Sequence, residues 1–178
     1  MTRLAIAAAL LVASTSAASA GTYLGIGIGT SADGHIGMTD TVEGAGRSGR
    51  LLLGSRFGRL AIEGQAGRFD MMFAATSYET TQLGVGLKVS MPLGDNFELF
   101  GKGGVQRTWL NNDGGSQYDV AGNGWFLSGG IEYRLNLGVT AASLFIDYQH
   151  SSTDLTNDRM DQIDGSAGMW TLGATVSL

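Results

Sequence analysis

His150 and Ser152 stand two residues apart, so on a strand they share a face and an imidazole base lies within reach of a hydroxyl nucleophile. Asp164 is the acid that would orient the ring in a triad. The competing expectation, which we favour, is a polar strand end entering a loop. A second chemical set is larger: Arg50, Arg56, Glu63, Lys88, Glu98, Lys102, Glu132, Arg134 and Asp147. Both signs are present in nearly equal number, as a self-neutralising network requires and a ring of one sign does not. The third set is Asp154, Asp158, Asp161 and Asp164, with Arg159 among them. Its spacing lacks the alternation and the glycine of a calcium loop, so a solvated acidic loop is expected and no metal site. The run Gly25-Ile26-Gly27-Ile28-Gly29 is not a phosphate loop, because the spacing is strictly two and no helix follows it. No cofactor is expected.

The elements that position these residues are strands. Leu83, Val85, Leu87, Val89 and Met91 fall on one face of a period-two stretch, and Gln82, Gly84, Gly86, Lys88 and Ser90 on the other. A soluble barrel would fill its interior with the apolar set. Lysine and glycine on the opposite face place the apolar side chains outward, into lipid. The same alternation predicts eight strands: Thr22 to Thr30, Arg47 to Phe57, one after a Gly58-Arg59 turn from Leu60 to Gly67, Gln82 to Met91, Phe97 to Trp109, Trp125 to Leu135, Ala142 to His150 and Gly168 to Leu178. All nine charges of the second set then project inward. The interior of an eight-stranded barrel is just wide enough for side chains, so these charges are expected to pair and plug it. The connections alternate as well. Those near Phe57, Gly94 and Leu137 are short; Ser31 to Gly46, Asp70 to Glu79, Leu110 to Gly124 and Ser151 to Ala167 are long and polar. Trp109, Trp125 and Trp170 fall on outward positions beside long connections, and Phe57, Phe97 and Tyr133 on outward positions beside short ones, giving two aromatic girdles.

Composition agrees. The chain has 178 residues, 29 of them glycine, with one proline and no cysteine, which disfavours a helical bundle or a disulfide scaffold. A net charge of −5 argues against a nucleic-acid partner. A mean hydropathy of +0.08 decides nothing, because alternating strands dilute every hydropathy average. Arg3, the apolar run Leu4 to Val12 and Ala18-Ser19-Ala20 read as a secretory signal over residues 1–20, leaving a barrel domain over residues 21–178. That run is too short to cross a bilayer as a helix.

On these residues the chain resembles the small eight-stranded outer-membrane barrels, the group that holds the OmpA transmembrane domain, OmpX and Ail. The C-terminal octet carries the sharpest likeness: Thr171, Gly173, Val176 and Leu178 are similar to the β-signal read by the outer-membrane assembly machinery, with leucine where most members end in an aromatic residue. The resemblance implies an all-β, antiparallel, up-and-down transmembrane barrel in the outer membrane. It also implies contact with membrane lipid and lipopolysaccharide, a monomer, and a structural or surface-interaction role through loops whose ligand the sequence does not name. Two further implications stay open. The His150-Ser151-Ser152 element is similar to that of the lipid A deacylases, with Asp164 and Thr153 where those enzymes carry glutamate and asparagine. A small gated pore would follow if an interior pair switched partners. A soluble lipocalin-like binder is the remaining alternative, and it would need an apolar interior.

Overall fold

The computed structural model describes residues 21–30, 32–36, 40–73, 76–112, 120–136, 141–156 and 162–178; residues 1–20, with the expected signal, and Asp158 and Asp161 lie outside them. The chain forms β1 (Gly21–Gly29), β2 (Asp33–Ile36), β3 (Asp40–Phe57), β4 (Leu60–Phe73), β5 (Thr76–Pro92), β6 (Phe97–Asn112), β7 (Val120–Asn136), β8 (Ala141–Thr156) and β9 (Gln162–Ser177). Consecutive strands from β3 to β9 pair antiparallel, and β1 pairs with both β3 and β9, so the sheet closes on itself. β2 continues the wall position of β1 beyond Ala32, between β3 and β9. Nine segments therefore make an eight-stranded closed barrel, and closure leaves no unpaired edge.

Rung by rung, the pairing runs from Ile26 through Leu51, Ala66, Leu83, Arg107, Asn123 and Asp154 to Asp164 on β9, whereas Ile26 itself pairs with Ala174, ten residues further on. That displacement is the shear of the barrel. With strands about 4.8 Å apart and a rise of about 3.3 Å per residue, it sets a strand tilt of about 40°. Each residue then climbs about 2.5 Å along the axis, and each step to the next strand shifts the level by about 3 Å.

The alternation holds in the fold. Leu24, Ile26, Leu83, Leu87, Val105, Leu127 and Leu172 are exposed on the outer wall, and Arg50, Glu63, Lys88, Lys102, Glu132 and Asp147 are buried inside. Leu52, in the middle of the triple-leucine run, is the inward member and packs with Phe100 and Phe145. The tight β3–β4 turn uses Gly58 at φ 64°, and Gly94 at φ 100° serves the β5–β6 turn; both angles favour glycine.

Two expectations need correction. Most of the polar stretches assigned to long loops are strand: β3 begins at Asp40, β8 runs to Thr156 and β9 begins at Gln162. The apolar face ends, but the ladder continues, because backbone pairing does not depend on which solvent the side chains meet. The short β2 also falls inside the expected Ser31 to Gly46 loop, since Asp-Gly-His-Ile carries no period-two apolar face.

Candidate functional site

The barrel interior is built in layers, here taken from the short-turn end upward. Lowest are two ion-pair groups. Glu98 accepts from Arg56 at 2.5 Å and from Arg134 at 2.6 Å, and Lys88 donates to Glu132 at 2.5 Å. Arg134 sits at the rim with its side chain 45% exposed. The next layer is a continuous chain across the barrel. Tyr23 donates its hydroxyl to Glu63 at 2.7 Å, and Lys102 reaches both Glu63 at 2.9 Å and Asp147 at 3.1 Å. Arg50 closes on Asp147 at 2.5 Å and also donates to Gln149 at 2.6 Å, while Ser128 donates to the second Asp147 oxygen at 2.9 Å. Phe100 lies between the two lysines, with Lys88 4.4 Å and Lys102 5.5 Å from its ring centroid. Each buried charge thus has an opposite charge within ion-pair distance, which is what makes an ionic interior tolerable, with Arg50 Nε the one buried guanidinium nitrogen left without a partner among the described residues.

Above the charges lies a neutral polar layer, in which Gln106 donates to Thr108 and Thr153. An apolar cap of Ala32, Phe69, Leu110, Leu155, Ala167 and Met169 closes the long-connection end. Among the described residues two small cavities lie inside, one of about 70 Å³ beside Tyr23, Arg56, Lys88 and Glu132 and one of about 30 Å³ under the cap. These are volumes for a few water molecules, and the Glu63–Lys102–Asp147–Arg50 chain lies between them.

The structure thus brings all nine inward charges into ion pairs. Sequence reasoning missed Tyr23, Ser128 and Gln149 as members of the network. Tyr23 shares the parity of Gly25 and Gly27, so alternation placed it inside, but its partner was not legible. The cap was missed because Leu155 fell in a stretch assigned to loop.

The His150 region is different. His150 is exposed on the outer wall with its ring 5.8 Å from that of Trp125, and Ser152 is half-buried opposite Trp125 and Ser166. Asp164, expected to orient the histidine, pairs with Asp154, four residues along the ladder from the His150–Gly168 rung. That separation is about 14 Å between backbones, and side chains on a strand stand nearly perpendicular to it, so Asp164 does not reach the imidazole. The physical reason is that β8 and β9 stay straight and paired where a returning loop was expected. Among the described residues no group of three or more His, Asp or Glu side chains converges to hold a metal.

The outer wall carries aromatic pairs at both ends: Phe97 with Tyr133 at 4.9 Å near the short turns, and Tyr148 with Trp170 at 5.2 Å nearer the long connections. Trp125, Trp170 and Trp109 keep outward parity but not one level; the shear lifts Trp109 about 10 Å above Trp170. C-terminal Thr171 and Thr175 are buried and inward-facing, whereas Leu172, Val176 and Leu178 are exposed.

The family model of the outer membrane protein beta-barrel domain matches residues 4–177. No curated protein matches the sequence. Among solved structures, Neisserial surface protein A is similar with a TM-score of 0.69 at 14% identity, over 88% of this chain and 97% of that one. OprG from Pseudomonas aeruginosa has a TM-score of 0.54 at 11% identity, over 89% and 96%. Ail, the attachment invasion locus protein of Yersinia pestis, has a TM-score of 0.51 at 13% identity, over 89% and 98%. At these identities the likeness is one of fold.

Proposed function

The chain belongs to the outer membrane protein β-barrel family, and from that premise we propose that it is a non-enzymatic surface-interaction protein. The reading assigns the filled barrel to anchoring and the far ends of the strands to recognition. One observation carries it: strands such as β5, with 17 residues, and β8, with 16, are about 40 Å tall at this tilt, against an apolar band of about 25 Å. The excess is a paired β-crown standing about 15 Å clear of the membrane on the long-connection side. A crown held by ladder hydrogen bonds presents side chains with little ordering cost on binding, which favours contact with another surface. Crown residues such as Asp154, Asp164 and Glu79 would supply polar contacts.

In this reading residues 1–20 export the chain, and Thr171, Gly173, Val176 and Leu178 are read by the assembly machinery. The mature barrel sits as a monomer among lipid and lipopolysaccharide, with no nucleic-acid partner. The test is a variant lacking residues 154–164, with β8 and β9 joined by a short turn. It should retain the heat-modifiable migration of a folded barrel while cells carrying it lose adhesion to host-surface and matrix components. Undiminished adhesion would refute the crown's role. Purified protein should release no acyl chain from lipid A, and release abolished by both His150→Ala and Ser152→Ala would overturn the non-enzymatic assignment.

A further inference from the structure

The outer wall is not evenly lined. On β4 the outward positions above Ile62 are Gly64 and Ala66, and across the flanking strands stand Leu51 and Leu53 on one side and Leu83 and Val85 on the other. The small residues leave an apolar groove of about 830 Å³ that rises across the wall and ends at Arg107 and Asn123. The depression is an absence of side chain rather than a demand of close packing. A Cβ added at Gly64 would meet only the Leu53 carbonyl at 3.7 Å and the Gly84 carbonyl at 4.0 Å.

The first charged residues above the apolar band follow the upper side of this groove: Arg107 lines its end, and Arg68 and Arg47 stand above Ala66 and Leu51 without lining it. By the shear, outward-facing Arg107 on β6, Arg68 on β4 and Arg47 on β3 lie within about 2 Å of one level, about 12 Å above Ile26. All three are exposed. Arg107 lies 5.6 Å from the Trp109 ring and is in no ion pair among the described residues. Arg68 meets Glu79 and keeps its side chain 67% exposed. Of the outward acids, Asp70 and Glu79 form the next outward rung above Arg68, whereas Asp154 and Asp164 stand higher and on the opposite half of the barrel, so the three arginines outnumber the acids beside them. Arginine on the boundary between an apolar wall and water matches a phosphate by bidentate geometry. Arg68 and Arg107 are two strands and two residues apart, about 12 Å along the wall.

We propose that this wall seats one molecule of a diphosphorylated, multiply acylated glycolipid, the lipid A portion of lipopolysaccharide. An acyl chain lies in the groove over Gly64 and Ala66, one phosphate meets Arg107, and the other meets Arg68 with Arg47. The occupant follows from charge and from two separated cation positions over one apolar groove; a lipid with a single phosphate engages only one of them. The inference rests on the reading above that the crown faces the cell surface, since only the outer leaflet supplies this lipid.

The test measures lipid retention by native mass spectrometry on the detergent-folded barrel, with diphosphoryl lipid A, monophosphoryl lipid A and phosphatidylglycerol as probes. Diphosphoryl lipid A should be retained about tenfold better than the monophosphoryl form, the effect of one charge-assisted contact. Arg107→Gln should abolish that preference, and Gly64→Leu with Ala66→Leu should lower retention of both lipid A forms. Arg59→Gln, in the turn at the opposite end, should change nothing. Equal retention of the three lipids, or unchanged retention in either the arginine or the groove variant, overturns the proposal. Heat-modifiable migration confirms that each variant is folded. Orientation is read separately: the chain has no cysteine, so labelling of Asp154→Cys on intact cells by an impermeant maleimide reports the crown's side of the membrane independently of lipid binding.

Discussion

Replacing Asp147 should destabilise the barrel more than replacing its partner Arg50. Asp147 is fully buried and holds two cations at once, Arg50 at 2.5 Å and Lys102 at 3.1 Å, while accepting from Ser128. Asp147→Ala leaves Arg50 with only the neutral amides of Gln149 and Gln65, and leaves Glu63 as the carboxylate partner of Lys102. One buried positive charge is then uncompensated, a situation that costs about 3–5 kcal/mol. Arg50→Ala should cost less, about 2 kcal/mol, because Asp147 keeps Lys102 and Ser128. With a urea slope of about 2 kcal/mol per molar, the aspartate variant should unfold at a midpoint about 2 M lower and the arginine variant at one about 1 M lower. Fluorescence of the three tryptophans during reversible urea titration in lipid vesicles reads both. An Asp147→Ala midpoint equal to the parent, or a larger loss for Arg50→Ala, would refute the argument that this carboxylate is the hub of the interior.

Three other expectations follow from the same geometry. Leu87 lies near mid-height on the exposed wall, so Leu87→Arg should cost about 2–4 kcal/mol by the same titration, against about 0–1 for Thr81→Arg near the rim. A Cβ at Gly173 would fall 2.3 Å from the Phe145 ring and 2.4 Å from the Ile26 carbonyl, so Gly173→Val should give no heat-modified band in a refolding gel, whereas Gly64→Ala should fold like the parent. Phe69 is 2% exposed within the apolar cap, and Phe69→Ala should lower stability by about 3–5 kcal/mol while leaving the ion pairs below it intact, as measured by equilibrium unfolding.

The wall was legible from the sequence and its contents only in part. Alternation is local, so it sorted Leu87 from Lys88 and put every inward charge on the correct face without knowledge of which strand met which. Partners depend on shear, a property of closure that no single strand encodes; nothing near Lys102 announces that it bridges Glu63 and Asp147. The acidic stretch around Asp154 and Asp164 read as loop because polarity on both faces removes the period, yet backbone pairing carried β8 and β9 on through it. The His150 and Ser152 pair was correctly placed on an outward face, but its supposed acid depended on a chain path that the ladder does not take. The groove and its arginines went unnoticed for a related reason: Gly64 and Ala66 look like weak strand residues until the larger neighbours on either side are known.

Among the described residues the join between the first and last strands is divided between two segments and is held by fewer rungs than the joins between later strands. β1 meets β9 over seven rungs, from Tyr23–Ser177 to Gly29–Thr171, and β2 adds four more, whereas β8 meets β9 over fifteen. A cylinder under lateral tension parts where the fewest bonds must yield, so heat or mechanical pulling should unzip this seam first. The same seam is also the final one to be made, because its two sides come from opposite ends of the barrel sequence. Until it shuts, two raw margins of backbone stand open to any passing strand, and the protein depends on whatever shelters them during insertion.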